Sequence, residues 1–241
     1  YRSDLGDVAR AAQSFKASHV STHLTIVDNH SGVSYFDVLR DAVQADRVMD
    51  SGANRGFGFG HNCAIRQAPA CDYYLVLNPD VVIQDEALER MVEFMDRNPD
   101  VGLAGPRILN PDGSLQHLNK QLPTVFDLFA RRFLPGFLRR VPLIKRRMDR
   151  YIMLRQGYDS VVDVPYLSGC FMLFRKSVLD AVGPFDEGFF IDSLTIGLTI
   201  GANDPMAQSS LTQYNHCLVI LSTLSIYGLS ASGITTLPSA C

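Results

Sequence analysis

Tyr73-Tyr74-Leu75-Val76-Leu77-Asn78-Pro79-Asp80 is the stretch on which the reading of the fold turns. Its first five residues are apolar or aromatic and suit a buried strand. Asn78-Pro79 ends that strand, because proline brings no N–H to a ladder. Asn-Pro-Asp recurs at 98–100 and 110–112, so the tripeptide alone says little. The second copy ends a helix and the third makes a turn, where all three residue types have ordinary local reasons to appear. Only Asp80 stands at the mouth of a buried strand, where a carboxylate can bind a hard cation through oxygen.

Outward from this strand, helices and strands alternate. Leu5, Val8, Ala9, Ala12 and Phe15 share one helical face, and Leu24-Thr25-Ile26-Val27 reads as a strand closed by Asp28-Asn29. Arg47-Val48-Met49 is a further strand, followed by the turn-rich 51–60 and a short helix near 61–67. A helix over 85–97 opens on Asp85 and Glu86, whose charge suits a helix N-terminus, and strand character resumes at Val101. Strand character returns over 161–174, then a helix over 176–182 stopped by Gly183-Pro184. The expected class is α/β, a Rossmann-like, mainly parallel sheet with helices on both faces. Such sheets bind ligands at the C-terminal strand ends, which places Asp28, the 54–62 loop and 78–80 in one crevice.

Each polar site has a bland alternative. Asp28 can receive hydrogen bonds from a nucleobase or ribose, or simply cap the next turn. Asn54-Arg55-Gly56-Phe57-Gly58-Phe59-Gly60-His61-Asn62 lets backbone approach a phosphate or sugar, or is a flexible glycine turn. It is not a dinucleotide fingerprint, since His61 stands where G-x-G-x-x-G needs glycine, and a nicotinamide oxidoreductase is accordingly disfavoured. His61, His117 and His216 have no zinc-ligand spacing.

The 241 residues are 46% hydrophobic, enough for a buried core, and the net charge of −3 argues against a nucleic-acid partner. Five cysteines without C-x-x-C pairs read as reduced thiols of a cytoplasmic protein. No apolar run reaches the roughly 18 residues needed to span a bilayer. Arginines interleaved with Phe, Leu, Ile and Met over 131–155 suit either peripheral contact with a membrane, at its inner face, or a solvated helical subdomain. After Ile191 the composition breaks: residues 192–241 carry only Asp192 and Asp204 as charged side chains. The break sets 1–191 apart from 192–241, a divergent, charge-poor tail that is either buried, badly behaved, or, by a frame-shifted or foreign origin, not the sequence that evolved with the rest.

In their order and spacing these motifs resemble the family 2 glycosyltransferases, especially the rhamnosyltransferase-like branch. The matching pieces are Ile26-Val27-Asp28-Asn29-His30-Ser31, Asn54 to Asn62, Leu77 to Asp80, Gly105-Pro106-Arg107-Ile108, and Ser168-Gly169-Cys170-Phe171 through Gly183-Pro184-Phe185-Asp186-Glu187. The resemblance implies a GT-A type fold and an inverting, metal-dependent transfer. A sugar, rhamnose in that branch, would pass from a nucleoside-diphosphate donor to a glycan or lipid-linked acceptor. It places the donor against Asp28, Asn29, Ser31, Asn54, Gly56, Phe57, Asn62 and Asn78, Mg or Mn on Asp80, and the acceptor toward Ser168 and Gly169. Two departures accompany it. The family's opening strand would end just before Tyr1, leaving the sheet without its first member. After Phe189-Phe190-Ile191, where the family supplies a Glu-Asp-x-Asp general base, this chain reads Asp192-Ser193-Leu194-Thr195-Ile196. The catalytic base is thus unassigned, and a catalytically dead nucleotide-sugar-binding remnant is the alternative reading.

Overall fold

A computed structural model describes residues 1–121, 124, 133, 135, 141–154, 158–165 and 167–188, together with the backbone of 216–226. Helix α1 (Leu5–Lys16) starts where the Asp4 side chain accepts the N–H of Asp7 and ends on a basic Lys16 suited to the negative helix terminus. Strand β1 (Thr25–Asp28), helix α2 (Val33–Ala42), strand β2 (Arg47–Asp50), helix α3 (Phe57–Ile65) and strand β3 (Tyr73–Leu77) follow. The chain continues through β4 (Val81–Ile83), α4 (Ala87–Arg97) and β5 (Val101–Leu109). Beyond the Asn110 turn come α5 (Pro142–Tyr151), β6 (Val162–Asp163), β7 (Phe171–Arg175), α6 (Lys176–Val182) and β8 (His216–Ile226).

The α/β class is as expected. β1 and β2 pair in parallel, and a second sheet runs β3-β7-β5-β8-β4, with β6 on β8. There β5 and β8 are parallel, whereas β7 lies antiparallel to both β3 and β5. The β5–β8 register slips at Pro106, which has no N–H to give. Side-chain alternation along β7 covers both faces: Phe171 and Leu173 pack with Phe15 of α1 and Leu88, Met91 and Met95 of α4. Met172 and Phe174 pack on the other face with Ile65 of α3, Leu179 of α6 and Phe185. Burial of each such large side chain stabilises by about 2 to 3 kcal/mol relative to exposure. A third cluster seats Val8 of α1 and Leu39 of α2 on Ile26 and Val48, so α1 bridges both sheets.

Three local differences from the sequence expectation have physical causes. α3 starts at Phe57 and not near 61, through Gly58 and Gly60; each glycine costs a helix about 1 kcal/mol, and packing contacts described below offset that. α2 was not evident because Val33, Ser34, Tyr35 and Phe36 are weak helix formers, and burial of Leu39 decides the outcome. α4 begins two residues later than expected because Glu86 at its N-cap takes a left-handed conformation, φ 59°. Most of the basic 122–140 segment and most of 192–241 lie outside the described residues. Within them, the backbone of 216–226 joins the second sheet.

Candidate functional site

The mouth of the strands is built first by β1. Asp28 at its end is 3% exposed, and its carboxylate accepts the N–H of Ser31 at 2.8 Å and the Ser31 hydroxyl. Ser31 Oγ in turn accepts the N–H of Arg2 at 2.8 Å. Asp28 thus holds the turn into α2, the bland role, and any ligand contact it makes is added to that. His30, at φ 57°, reaches across to Asp50 at the end of β2, with Nδ1 3.2 Å from the carboxylate.

Asn29 points at α3. Its Nδ2 donates to the Gly56 carbonyl at 3.3 Å, while its Oδ1 is buried without a partner. A Cβ on Gly60 would come within 2.7 Å of that Oδ1. A Cβ on Gly58 would meet Phe185 at 3.0 Å. These two glycines therefore serve internal close packing, and Gly56, at φ 99°, serves the turn into the helix. Asn54 and Arg55 remain exposed, the Arg55 guanidinium lying 4.8 Å over the Phe59 ring.

Asn62 is fully buried and its amide is fully used: Nδ2 donates to Phe185 O at 2.8 Å and to Glu187 at 2.9 Å, and Oδ1 accepts the Phe185 N–H at 2.9 Å. It clamps α3 to the turn after α6. Glu187 also receives Arg66, and the hydrogen bonds of Asn62 and Arg66 hold its carboxyl below the usual range. The His61 ring sits between Phe57, 4.3 Å away, and Phe185, 6.0 Å away; burial lowers its pKa to about 4, so it is neutral.

On the β3 side, Asn78 N donates to Cys170 O at 2.9 Å, which brings the Ser168-Gly169 turn beside 78–80. Ser168 is 3% exposed and its hydroxyl has no partner. Asp80 is the electrostatic anomaly. Its Oδ1 is buried without a partner, and burial, with Asp7 of α1 as a further negative neighbour, raises its pKa. Sequence reasoning missed Asp7, whose position in the first turn of α1 looked like ordinary helix-dipole chemistry. It also missed Tyr35, which donates to Ser3 O at 2.7 Å and whose pKa is raised by burial and by Asp28.

Asp28, Asn29, Phe57, Gly60, His61 and Asn78 thus share the rim of one cavity of about 820 Å³. Among the described residues no cluster of three His, Cys, Asp or Glu side chains forms a metal cage. The buried, unserved oxygen of Asp80 nonetheless fits a hard cation whose other ligands come from a bound molecule.

Comparisons with known proteins agree with this geometry. The family model described as glycosyl transferase family 2 matches residues 8–183. An N-acetylglucosaminyl-diphospho-decaprenol L-rhamnosyltransferase of Mycobacterium tuberculosis is 30% identical over 156 residues, covering 60% of this chain and 49% of that protein. The low-salt glycan biosynthesis hexosyltransferase Agl10 of Haloferax volcanii is 27% identical over 171 residues, 69% of this chain and 48% of its own. The chain spans about half the length of these curated relatives. Among solved structures, a mannosyltransferase from Pyrobaculum calidifontis, in complex with GDP-Man and Mn2+, superposes with a TM-score of 0.56 at 12% identity, over 93% of this chain and 54% of that one. S. aureus TarS 1-349 superposes with a TM-score of 0.53 at 14% identity, over 91% and 56%. Both share the GT-A type fold. With a rim of polar groups at the strand ends, that fold, and a family match over most of its length, this chain belongs to glycosyl transferase family 2.

Proposed function

We propose that the strand mouth binds a nucleoside-diphosphate sugar, and that the sugar is transferred with inversion to a glycan or lipid-linked acceptor. The observation that carries this reading is the buried, partnerless Oδ1 of Asp80 at the end of β3, in the field of Asp7. A carboxylate desolvated without a partner is costly, and a cation recovers that cost. Mg or Mn held by Asp80 would neutralise charge on the diphosphate leaving group.

The chain's own residues divide the remaining work. Asp28, fixed by Ser31, faces the nucleoside; Asn29 and Asn78 stand at the rim; Phe57, at the start of α3, lines the pocket, and Asn54 and Gly56 precede it in the turn toward the donor. Asn62 positions that helix against the Phe185–Glu187 turn and does not itself reach the ligand. Ser168 and Gly169 stand on the acceptor side, next to the 78–80 turn. Rhamnose is the first sugar to test, from the likeness to the mycobacterial relative. The protein acts in the cytoplasm, with 131–155 against the inner face of the membrane. Among the described residues no helix is long and apolar enough to cross a membrane.

A second reading rests on Asp192-Ser193-Leu194-Thr195-Ile196, which stands where the family places its general base. Under it the chain binds donor and metal without turnover. Thermal shift with a panel of nucleotide-sugars, with and without Mn, tests donor binding: a metal-dependent rise is expected for the native chain and none for Asp80→Ala. Equal stabilisation of both proteins removes Asp80 as the metal ligand. Donor turnover, assayed alongside, separates the enzyme from the remnant.

A further inference from the structure

Helix α1 lies along β4, and one side chain sets their register. Ser14 Oγ of α1 accepts the N–H of Ile83 in β4 at 3.0 Å. The two elements run in the same direction: beyond α1 the N–H of His19 donates to Glu89, in the first turn of α4, and α4 is the element that follows β4. Asp7 stands two helical turns before Ser14, on the same face of α1. Asp80 stands three residues before Ile83. Two turns of helix rise about 10 Å, and three residues of strand also span about 10 Å, so Asp7 comes level with Asp80. The charge of Asp7 is accordingly felt at Asp80.

Asp7 is itself paired. Arg10, three residues on, donates to its Oδ1, the spacing at which helix side chains meet. The Asp7 side chain is 17% exposed and that of Arg10 40%, so the anion is tucked under the helix and the cation reaches it from solvent. Gly6 leaves room for this pairing: a Cβ there would meet Asp4 Oδ1 at 3.0 Å and an Arg10 nitrogen at 3.4 Å. Asp4 caps the helix, accepting the Asp7 N–H at 3.0 Å. Beside the partnerless Oδ1 of Asp80, α1 therefore sets an anion, Asp7, and its counter-charge, Arg10.

We infer that Asp7 and Arg10 tune the affinity of Asp80 for its cation: Asp7 is an outer anion that strengthens binding, and Arg10 a counter-charge that weakens it. This role rests on Asp80 as the metal ligand proposed above. Asp7 and Arg10 are positioning residues that act through Asp80. Each carries a unit charge at a distance where a divalent ion responds to it through partly screened Coulomb forces. Their effects on the cation are therefore opposite in sign, and both fade as salt rises. The paired state is close to neutral and leaves the bare site weak, so tight binding of the cation waits for the negative charge of the diphosphate.

Titration with Mn alone, followed by the paramagnetic resonance of free Mn, tests this on the native chain, Asp7→Asn, Arg10→Gln and Asp80→Ala. At low salt Asp7→Asn is expected to weaken Mn binding about threefold or more, and Arg10→Gln to strengthen it by a similar factor. Both differences should shrink toward nothing at about 0.5 M salt. Equal affinities in the native chain and both variants, a loss in both variants, or changes that ignore salt would overturn the tuning role. Asp80→Ala is expected to abolish binding. If it does so while Asp7→Asn and Arg10→Gln match the native chain, Asp80 stands as the ligand and the role of its two neighbours falls. If the native chain takes up no Mn, or Asp80→Ala binds as well as it does, Asp80 is not the ligand and Asp7 and Arg10 have no cation to tune. Melting curves guard against a variant that is merely ill-folded. In chelator Arg10→Gln should melt at or below the native chain, yet gain more than it from the same Mn concentration. A smaller gain would overturn the tuning role.

Discussion

Asp80 holds a carboxylate in a place that disfavours its charge, and this has a pH signature. Its folded pKa is raised by burial first and by Asp7 after that. A raised folded value means that the stability linked to the proton is fully present below the unfolded pKa, about 3.9, and is lost as pH rises through the folded value. In chelator, Asp80→Asn is therefore expected to melt above the native chain at pH 7, and the gap should close as pH falls to about 3.5. Adding Mn should reverse the order at pH 7, stabilising only the native chain. Melting curves that coincide at both pH values would refute the electrostatic account. Asn62 offers a second residue-scale test. Asn62→Ala strips the Phe185 N–H and C=O of their partners and is expected to cost about 3 kcal/mol in urea unfolding. A direct donor contact would instead weaken donor binding while leaving stability intact. Asn62 looked like a ligand residue in the sequence because an amide next to a glycine run suits both uses. Only its burial and its 123-residue reach to Phe185 separate them.

At the scale of elements, the end of α4 is fastened to the sheet by one side chain. Arg175, the last residue of β7, donates to the carbonyls of Met95 at 2.6 Å, Asn98 at 3.2 Å and Val101 at 3.2 Å, and to the Tyr73 hydroxyl at 3.2 Å. It adds a charged donor to carbonyls at and just beyond the helix end, with the sign the helix terminus favours, beside the backbone N–H of Asn98 on Met95 and of Val101 on Asn98. Arg175→Ala is expected to destabilise by about 2 to 4 kcal/mol, and Arg175→Lys to recover less than half, because an ammonium cannot reproduce the planar fork. Denaturant unfolding of the three proteins checks this; full recovery by lysine would reduce the contact to charge alone. The strands of this region were legible from runs such as Tyr73–Leu77 and Val101–Ala104. The antiparallel entry of β7 was not, since an apolar run has the same composition in either direction.

At the scale of the whole molecule, α5 exposes apolar and basic groups together: Leu143 is 79% exposed, with Lys145, Arg146 and Arg147 also on the surface. The chain is expected to bind vesicles containing anionic lipid, with each basic residue contributing about 1 kcal/mol, and to leave them as salt rises. Replacing Lys145, Arg146 and Arg147 by Glu should reduce flotation with such vesicles about tenfold or more, and unchanged flotation would exclude this surface. The sequence by itself determined the α/β alternation, the strand ends and the order of polar motifs, because buried strands and amphipathic helices carry their periodicity in local residue order. It also carried Asp192-Ser193-Leu194-Thr195-Ile196 after Ile191, where the resemblance leads one to expect an acidic segment. Tertiary structure alone decided which glycines pack against Phe185 and Asn29, that Asn62 is a clamp, that Asp7 acts on Asp80, and that β1 and β3 line one cavity. Those properties depend on contacts between residues distant in the chain, and distance in space is not written in local periodicity.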